Sequence, residues 1–349
     1  MYSFRNDYSE LCHEDIIKVM SSINRKQFSG YGEDSISLKV KTKLKSLLEN
    51  DKVDIHFLSG GTQTNLVAIS AILKPYQAVI AAESGHIATH EAGAIEATGH
   101  KILTLKTLDG KLKASQIKNL VDSHYGDEAR EHITQPAMVY ISNPTEYGTI
   151  YKKNELSKLK QVCEDLNLAL YIDGARLAQA IEGITSDLKI SDLPQLCDMF
   201  YIGGTKNGAM FGECLVIVND KYKQDFRYIL KQRGALLAKG YAVSLQFDAL
   251  FNNNLFFKLA KEANQKAKKI NDELTSSKIK MLVVQESNQV FPILKNSVIK
   301  KLRKDYLFYD WQVVDENHTA IRLCVSWASD SKIIDKFIGD VKKYNKETS

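Results

Sequence analysis

The stretch FYIGGTKNGAM, residues 200–210, sets an apolar entry against two glycines and then presents one lysine, Lys206, in a turn of small and polar residues. An apolar run that stops at Gly203 and Gly204 reads as a buried strand whose end must pass close to another group. Short apolar runs of the same kind recur at 55–58, 78–82, 138–141, 168–172 and 215–218. Helical stretches separate them, among them 64–73 and 155–166, the second carrying Leu156, Leu159, Val162, Cys163 and Leu166 at helical spacing. This alternation predicts an α/β fold with a mostly parallel sheet covered by helices on both faces.

Beyond about residue 247 the pattern changes. A Lys-rich amphipathic helix is expected over 256–280, with Leu259, Ala263, Ile270 and Leu274 on its inner face and its lysines in water. Strand-like pieces at 281–284, 290–293 and 320–325 and a closing helix follow. The expected organisation is an N-terminal segment (1–15), a large domain (16–246) and a smaller C-terminal α+β domain (247–349).

Composition narrows the class of function. The 349 residues are 44% hydrophobic and 26% charged, a globular balance. The net charge of +5 is small and its lysines are dispersed, which disfavours nucleic acid as a partner. No run of about 18 apolar residues suggests a membrane span, and the first 16 residues, with Arg5, Asp7, Glu10, Glu14 and Asp15, lack the apolar core of a secretory signal, so a cytoplasmic protein is expected. Five scattered cysteines without a CxxC pair read as buried free thiols.

In α/β sheets ligands gather beyond the carboxyl ends of the strands, so the residues after each apolar run are read together. After 55–58 comes SGGTQTN, where Ser59, Gly60, Gly61 and Thr62 lead into a helix whose free N–H groups suit a phosphate. A purely structural capped turn is the plainer alternative, and neither GxGxxG nor GxxxxGK[ST] is matched. After 78–82 comes ESGHIATHEAG. Its His86, His90 and Glu91 lack the HExxH order, so no metal is expected, whereas a flat imidazole could stack on a planar ring. After 168–172 comes DGAR, Asp173 to Arg176; a carboxylate ending an apolar strand needs a partner, and a protonated ring nitrogen would be one. Lys206 follows 33 residues later, where burial against a sheet edge would lower its pKa and suit it to a Schiff base. Cradle, imidazole, carboxylate and lysine, in that order, match the phosphate, ring face, ring nitrogen and aldehyde of pyridoxal 5'-phosphate. Gly203 and Gly204 would then let the backbone approach the ring.

At these residues the chain resembles the fold type I pyridoxal-phosphate enzymes, and within them the threonine aldolase and β-eliminating lyase family. The resemblance runs from RNDYSELC (5–12) through GYGED (30–34), SGGTQTNLVA, ESGHIATHEAGA, ISNPTEYGTIY (141–151), YIDGARLAQA and IGGTKNG to IRLCVSWAS (321–329). It implies that Lys206 holds the cofactor aldehyde, Asp173 the ring nitrogen, His86 the ring face, and Gly61 and Thr62, with Gly60, the phosphate. Arg176, beside the cofactor, and Arg322 would grip a substrate carboxylate, with Asn6 standing where the family often has a serine. The implied reaction is retro-aldol cleavage of a β-hydroxy-α-amino acid (threonine, allo-threonine or phenylserine) to glycine and an aldehyde, with His86 the first candidate for the base. A β-eliminating lyase or aminotransferase-like enzyme, or a non-catalytic binding protein of the same fold, is the alternative. Many threonine aldolases carry a histidine in the loop matched by SNPTEYG; here Thr145 and Glu146 stand there, as in one branch of the family, and the base is left open. Such enzymes work as homodimers or homotetramers, so Tyr31, as a substrate contact, and Glu33, Arg233 and Lys239 are candidates to act across an interface.

Overall fold

The computed structural model describes residues 1–347. Its centre is a seven-stranded sheet in the spatial order Asp54–Leu58, Glu213–Ile217, Met199–Gly203, Ala169–Asp173, Gln135–Ser142, Gln77–Ala82, Lys101–Leu105. All neighbours run parallel except Glu213–Ile217, which is antiparallel to both strands beside it. The inner strands are apolar at nearly every position because helices cover both faces. Side chains alternate between two cores: Leu170, Ile172, Phe200 and Ile202 enter one, Ala169, Tyr171, Met199 and Tyr201 the other.

Two covering helices show how the sequence makes these layers. Lys153–Asp165 turns Leu156, Leu159 and Cys163 inward, and Glu155 Oε2 accepts the backbone N–H of Lys152 (2.8 Å) to close its first turn. Gly61–Ile72 buries Thr64, Asn65, Val67, Ala68 and Ile69. Two polar residues in that stripe are the first sign that this helix faces more than core.

A third core belongs to the C-terminal part. The helix Leu255–Ser276 supplies Ala267, Ile270 and Leu274 to it, while its first turns supply Phe256, Leu259 and Ala260 to the core beneath the large sheet. Strands Gln289–Val290, Ile293–Lys295 and Tyr309–Val313 pair with His318–Cys324, and the helix Ser331–Glu347 packs Phe337 and Val341 on them. The start of the chain joins this unit: Tyr2–Ser3 pairs in parallel with Tyr306–Leu307, and the Phe4 ring lies 5.0 Å from Phe337.

Four strands escape the sequence reading and one expected strand is absent; two of the four, Tyr2–Ser3 and Tyr306–Leu307, are only two residues long. Lys101–Leu105 and Tyr309–Val313 are edge strands with no fully buried residue, the first half-buried and the second largely solvated, so neither carries an unbroken apolar run. The piece expected at 281–284 reduces to a single bridge, Met281 to Pro292, and Val284 is 75% exposed, which removes the burial a strand there would need. All five cysteines are free; four are buried and Cys12 partly so.

Candidate active site

A cavity of about 330 Å³ opens at the carboxyl ends of the central strands. Gly60, Gly61, Thr62, His86, Asp173 and Lys206 line it from the large sheet, and Asn6, Arg176 and Arg322 reach it as well. The nine positions come from segments spread over more than 300 residues, and the crossing of strand ends brings them together.

Asp173, at the end of its strand, is the most constrained of them. Its Oδ2 accepts from Asn65 Nδ2 (3.0 Å) and the Tyr140 hydroxyl (2.7 Å), and its Oδ1 from the Tyr201 hydroxyl (2.6 Å) and the Ala175 N–H (3.0 Å). Burial by itself would raise its pKa, but the nearby His86 and the Tyr201 and Tyr140 hydroxyls outweigh it and hold the carboxyl below its ordinary value. The cavity floor therefore carries a fixed negative charge.

Lys206 sits half-buried on the turn after Met199–Gly203. Burial, reinforced by the Arg176 charge, lowers its pKa, while Asp7, Asp173 and Glu213 pull the other way. Glu213 fixes the turn: its carboxylate accepts the Gly204 N–H (3.1 Å) and the Thr205 hydroxyl (2.8 Å), and burial raises its pKa to about 8. The two glycines before Lys206 serve a different purpose from the one expected. A Cβ at Gly203 would stand 2.3 Å from the Ala175 carbonyl and one at Gly204 2.7 Å from the Gly212 carbonyl. They let adjacent strand ends close on each other, and neither lines the cavity.

His86 opens the short helix His86–Thr89, with Nδ1 2.8 Å from Glu91 Oε1. The same oxygen accepts the Asn65 amide (2.7 Å), so Asn65 bridges the Glu91 and Asp173 carboxylates, while Glu91 Oε2 is buried without a partner. The His90 ring stacks beside His86 at 5.7 Å and 20°. Opposite, the helix Gly61–Ile72 starts from Gly60 without a side-chain cap. The first helical N–H groups have no intrahelical partner, and a Cβ at Gly61 would press on the Tyr201 hydroxyl at 3.1 Å.

The two arginines differ. Arg176 spends Nε (2.6 Å) and one terminal nitrogen (3.1 Å) on the buried Asp7 carboxylate, which also accepts from Asn288 Nδ2 (2.8 Å). Arg322 has no carboxylate partner among the described residues; its guanidinium lies 5.1 Å from the Trp311 ring centre and 5.4 Å from that of Tyr309, and its Nε is buried and unpaired. Asn6 Oδ1 accepts from the Tyr8 N–H (3.1 Å) and the Ser9 hydroxyl (2.9 Å). Thr145 and Glu146 both line the cavity, but the Thr145 hydroxyl is taken up by Thr149 (2.7 Å) and the Asp109 carbonyl (3.1 Å).

Tyr31 does not line the cavity of its own chain; it lies against the Lys231 amine (4.9 Å), and Glu33 pairs with Arg227 (2.9 Å). Arg233 and Lys239 are likewise outside it. Sequence reasoning missed Asp7, Asn65, Tyr140, Tyr201 and Glu213. Asp7, Asn65 and Tyr201 stand inside motifs that were read for other residues. Asn65, buried mid-helix in an apolar stripe, was the one readable warning of a polar network.

The donor set suits pyridoxal 5'-phosphate: free N–H groups at a glycine start for a phosphate, an ionised carboxylate for a protonated ring nitrogen, an imidazole beside it and a partly desolvated amine. Comparison with known proteins agrees. The family model described as beta-eliminating lyase matches residues 12–297. The low specificity L-threonine aldolase of Pseudomonas aeruginosa is 28% identical over 345 residues, covering 97% of this chain and 96% of its own. A solved threonine aldolase structure from Leishmania major is 44% identical, with a TM-score of 0.95, and the match covers 98% of this chain and 99% of that one. An Oryza sativa TDC solved with PLP superposes with a TM-score of 0.77 at 12% identity, over 99% of this chain and 83% of its own, a likeness of fold. Model match, relatives and matching architecture lead to one conclusion: the chain belongs to the beta-eliminating lyase family, among the threonine aldolases.

Proposed function

We propose that this protein is a pyridoxal-phosphate-dependent lyase that cleaves threonine or allo-threonine to glycine and acetaldehyde, with Lys206, Asp173 and His86 as its catalytic residues. The observation that carries the reading is the sharing of one cavity by an ionised, four-times hydrogen-bonded Asp173 and a Lys206 whose pKa is lowered. When bound, the cofactor supplies an electron sink for charge at the Cα of an attached amino acid.

The chain's own groups do the rest. Lys206 holds the aldehyde end; its depressed pKa keeps a fraction of the amine neutral and nucleophilic. Asp173, kept ionised by three side-chain donors and the Ala175 N–H, holds a proton on the ring nitrogen. His86, anchored through Nδ1 to Glu91, covers one ring face. Gly60, Gly61 and Thr62 hold the phosphate on backbone N–H groups. Arg322, with no competing carboxylate among the described residues, orients the substrate carboxylate; Arg176 assists with the nitrogen it does not spend on Asp7, beside Asn6. The protein works as a cytoplasmic homodimer or homotetramer. Free cysteines throughout suit a reducing compartment, and the placement of Tyr31, Glu33, Arg233 and Lys239 outside their own cavity suits residues that serve a neighbouring copy.

The test is a panel of threonine, allo-threonine, phenylserine and cysteine with product identification. Glycine and aldehyde are expected from the hydroxy amino acids; pyruvate from cysteine as the main product would favour β-elimination instead. Lys206→Ala is expected to abolish cleavage and remain soluble and folded. Wild-type rates in that variant would refute the assignment.

A further inference from the structure

Cleavage of a β-hydroxy amino acid needs a group that accepts the hydroxyl proton, and the cavity holds one that is not tied down by the network around Asp173. Glu146 follows the strand Gln135–Ser142 and lines the cavity beside His86. Its Oε1 is fixed by two donors, the backbone N–H of His86 (2.9 Å) and the Ser142 hydroxyl (2.7 Å). Its Oε2 accepts no hydrogen bond from any other described residue, and Glu146 lines the cavity. His86, by contrast, has one ring nitrogen committed to Glu91, and in the reading above its face covers the cofactor. We propose that Glu146 is the catalytic residue that takes the β-hydroxyl proton during Cα–Cβ cleavage.

The proposal rests on the lyase reading above. The O–H proton passes to Glu146 Oε2, the C=O double bond of the aldehyde forms, and the electron pair of the Cα–Cβ bond stays on Cα. A solvent proton then completes glycine, and Glu146 returns its own proton to solvent. The two fixed donors orient the carboxylate before the substrate arrives, which is what a positioned base requires. Burial raises the pKa of Glu146, though its Ser142 hydrogen bond opposes this, and a more basic carboxylate is the better acceptor. The other titratable groups that face it are His86, Asp173, Tyr140 and Tyr151.

Glu146→Gln isolates the proton transfer, because the amide oxygen can still accept from His86 and Ser142 while the anionic base is gone. Glycine provides the internal control: it binds as substrate and exchanges its α-proton with deuterated water, but has no β-hydroxyl. Expected in Glu146→Gln are an unchanged visible absorbance band of the bound cofactor, an unchanged melting temperature, glycine exchange within about twofold of wild type, and threonine cleavage slowed about 10²-fold or more. The acid limb of the pH profile of kcat/KM should also disappear. Cleavage at the wild-type rate, or equal loss of glycine exchange and cleavage, would overturn the assignment. So would the selective loss appearing in His86→Asn instead. A wild-type protein that exchanges glycine protons yet cleaves no β-hydroxy amino acid would sink the lyase reading and this inference with it.

Discussion

Replacing Asp7 by Asn should destabilise the protein by several degrees, because the residue does more than begin the chain. Asp7 is 1% exposed and accepts two hydrogen bonds from Arg176 and one from Asn288. Residues 2–4 are woven into the C-terminal core, so this carboxylate also ties that core to the cavity. The substitution keeps the shape but leaves the Arg176 guanidinium without its countercharge. Breaking a buried pair from one side costs about 3–5 kcal/mol. With an unfolding entropy of about 2.1 cal/mol/K per residue, a chain of 349 residues converts that loss to a fall in melting temperature of about 4–7 °C. The assay is thermal unfolding of Asp7→Asn, Arg176→Gln and the double variant, with cofactor held in constant excess. The double variant should recover much of the loss, since neither charge then remains buried alone. The pH dependence has a definite sign. Burial raises the Asp7 pKa, but the charges of Arg176 and Lys206 outweigh it and hold it below the ordinary 3.8. Its stabilising contribution is therefore present above that value and is lost as pH falls through the lower folded one, so the gap between wild type and Asp7→Asn should narrow in acid. A shift under about 1 °C near neutral pH, or a double variant less stable than either single one, would mean the pair does not hold the segment in place.

Two further substitutions probe the cavity walls. Arg322→Ala should raise the KM for threonine at least about tenfold with a smaller effect on kcat, and Arg322→Lys should rescue little, because the flat guanidinium between Tyr309 and Trp311 is what fits there; steady-state kinetics with an unchanged KM would place the carboxylate grip elsewhere. Gly61→Ala should weaken cofactor affinity about tenfold in a spectroscopic titration, as the new methyl pushes the Tyr201 hydroxyl away from Asp173; retained affinity would show that this hydroxyl does not help set the Asp173 charge.

Much of the fold was legible because the central strands are covered on both faces and so carry nearly unbroken apolar runs. Edge strands such as Lys101–Leu105 carry no such run and were lost. In the site, Lys206, Asp173, His86 and the Gly60–Gly61 turn could be read because each ends an apolar run with a residue type that burial alone does not explain. The partners of Asp173 could not. Tyr140 and Tyr201 lie on the flanking strands and read as ordinary strand aromatics, and only the lateral order of those strands points their hydroxyls at one carboxylate. Glu213 sits on the single antiparallel strand, whose direction brings its first residue to the Lys206 turn.

The sequence by itself determined which chemistry is available: one amine, one terminal carboxylate, one imidazole and a glycine turn, each at the end of a strand and in an order that suits one cofactor. Tertiary structure alone decided which charges cancel. Arg176 and Asp7 are 169 positions apart and lie 2.6 Å from each other, so the arginine whose motif looked the more telling is the neutralised one, and Arg322 is left with its charge to give. The physical reason is range. Apolar periodicity is a local property written along the chain, whereas the state of a buried charge depends on whatever the fold brings within a few ångströms of it.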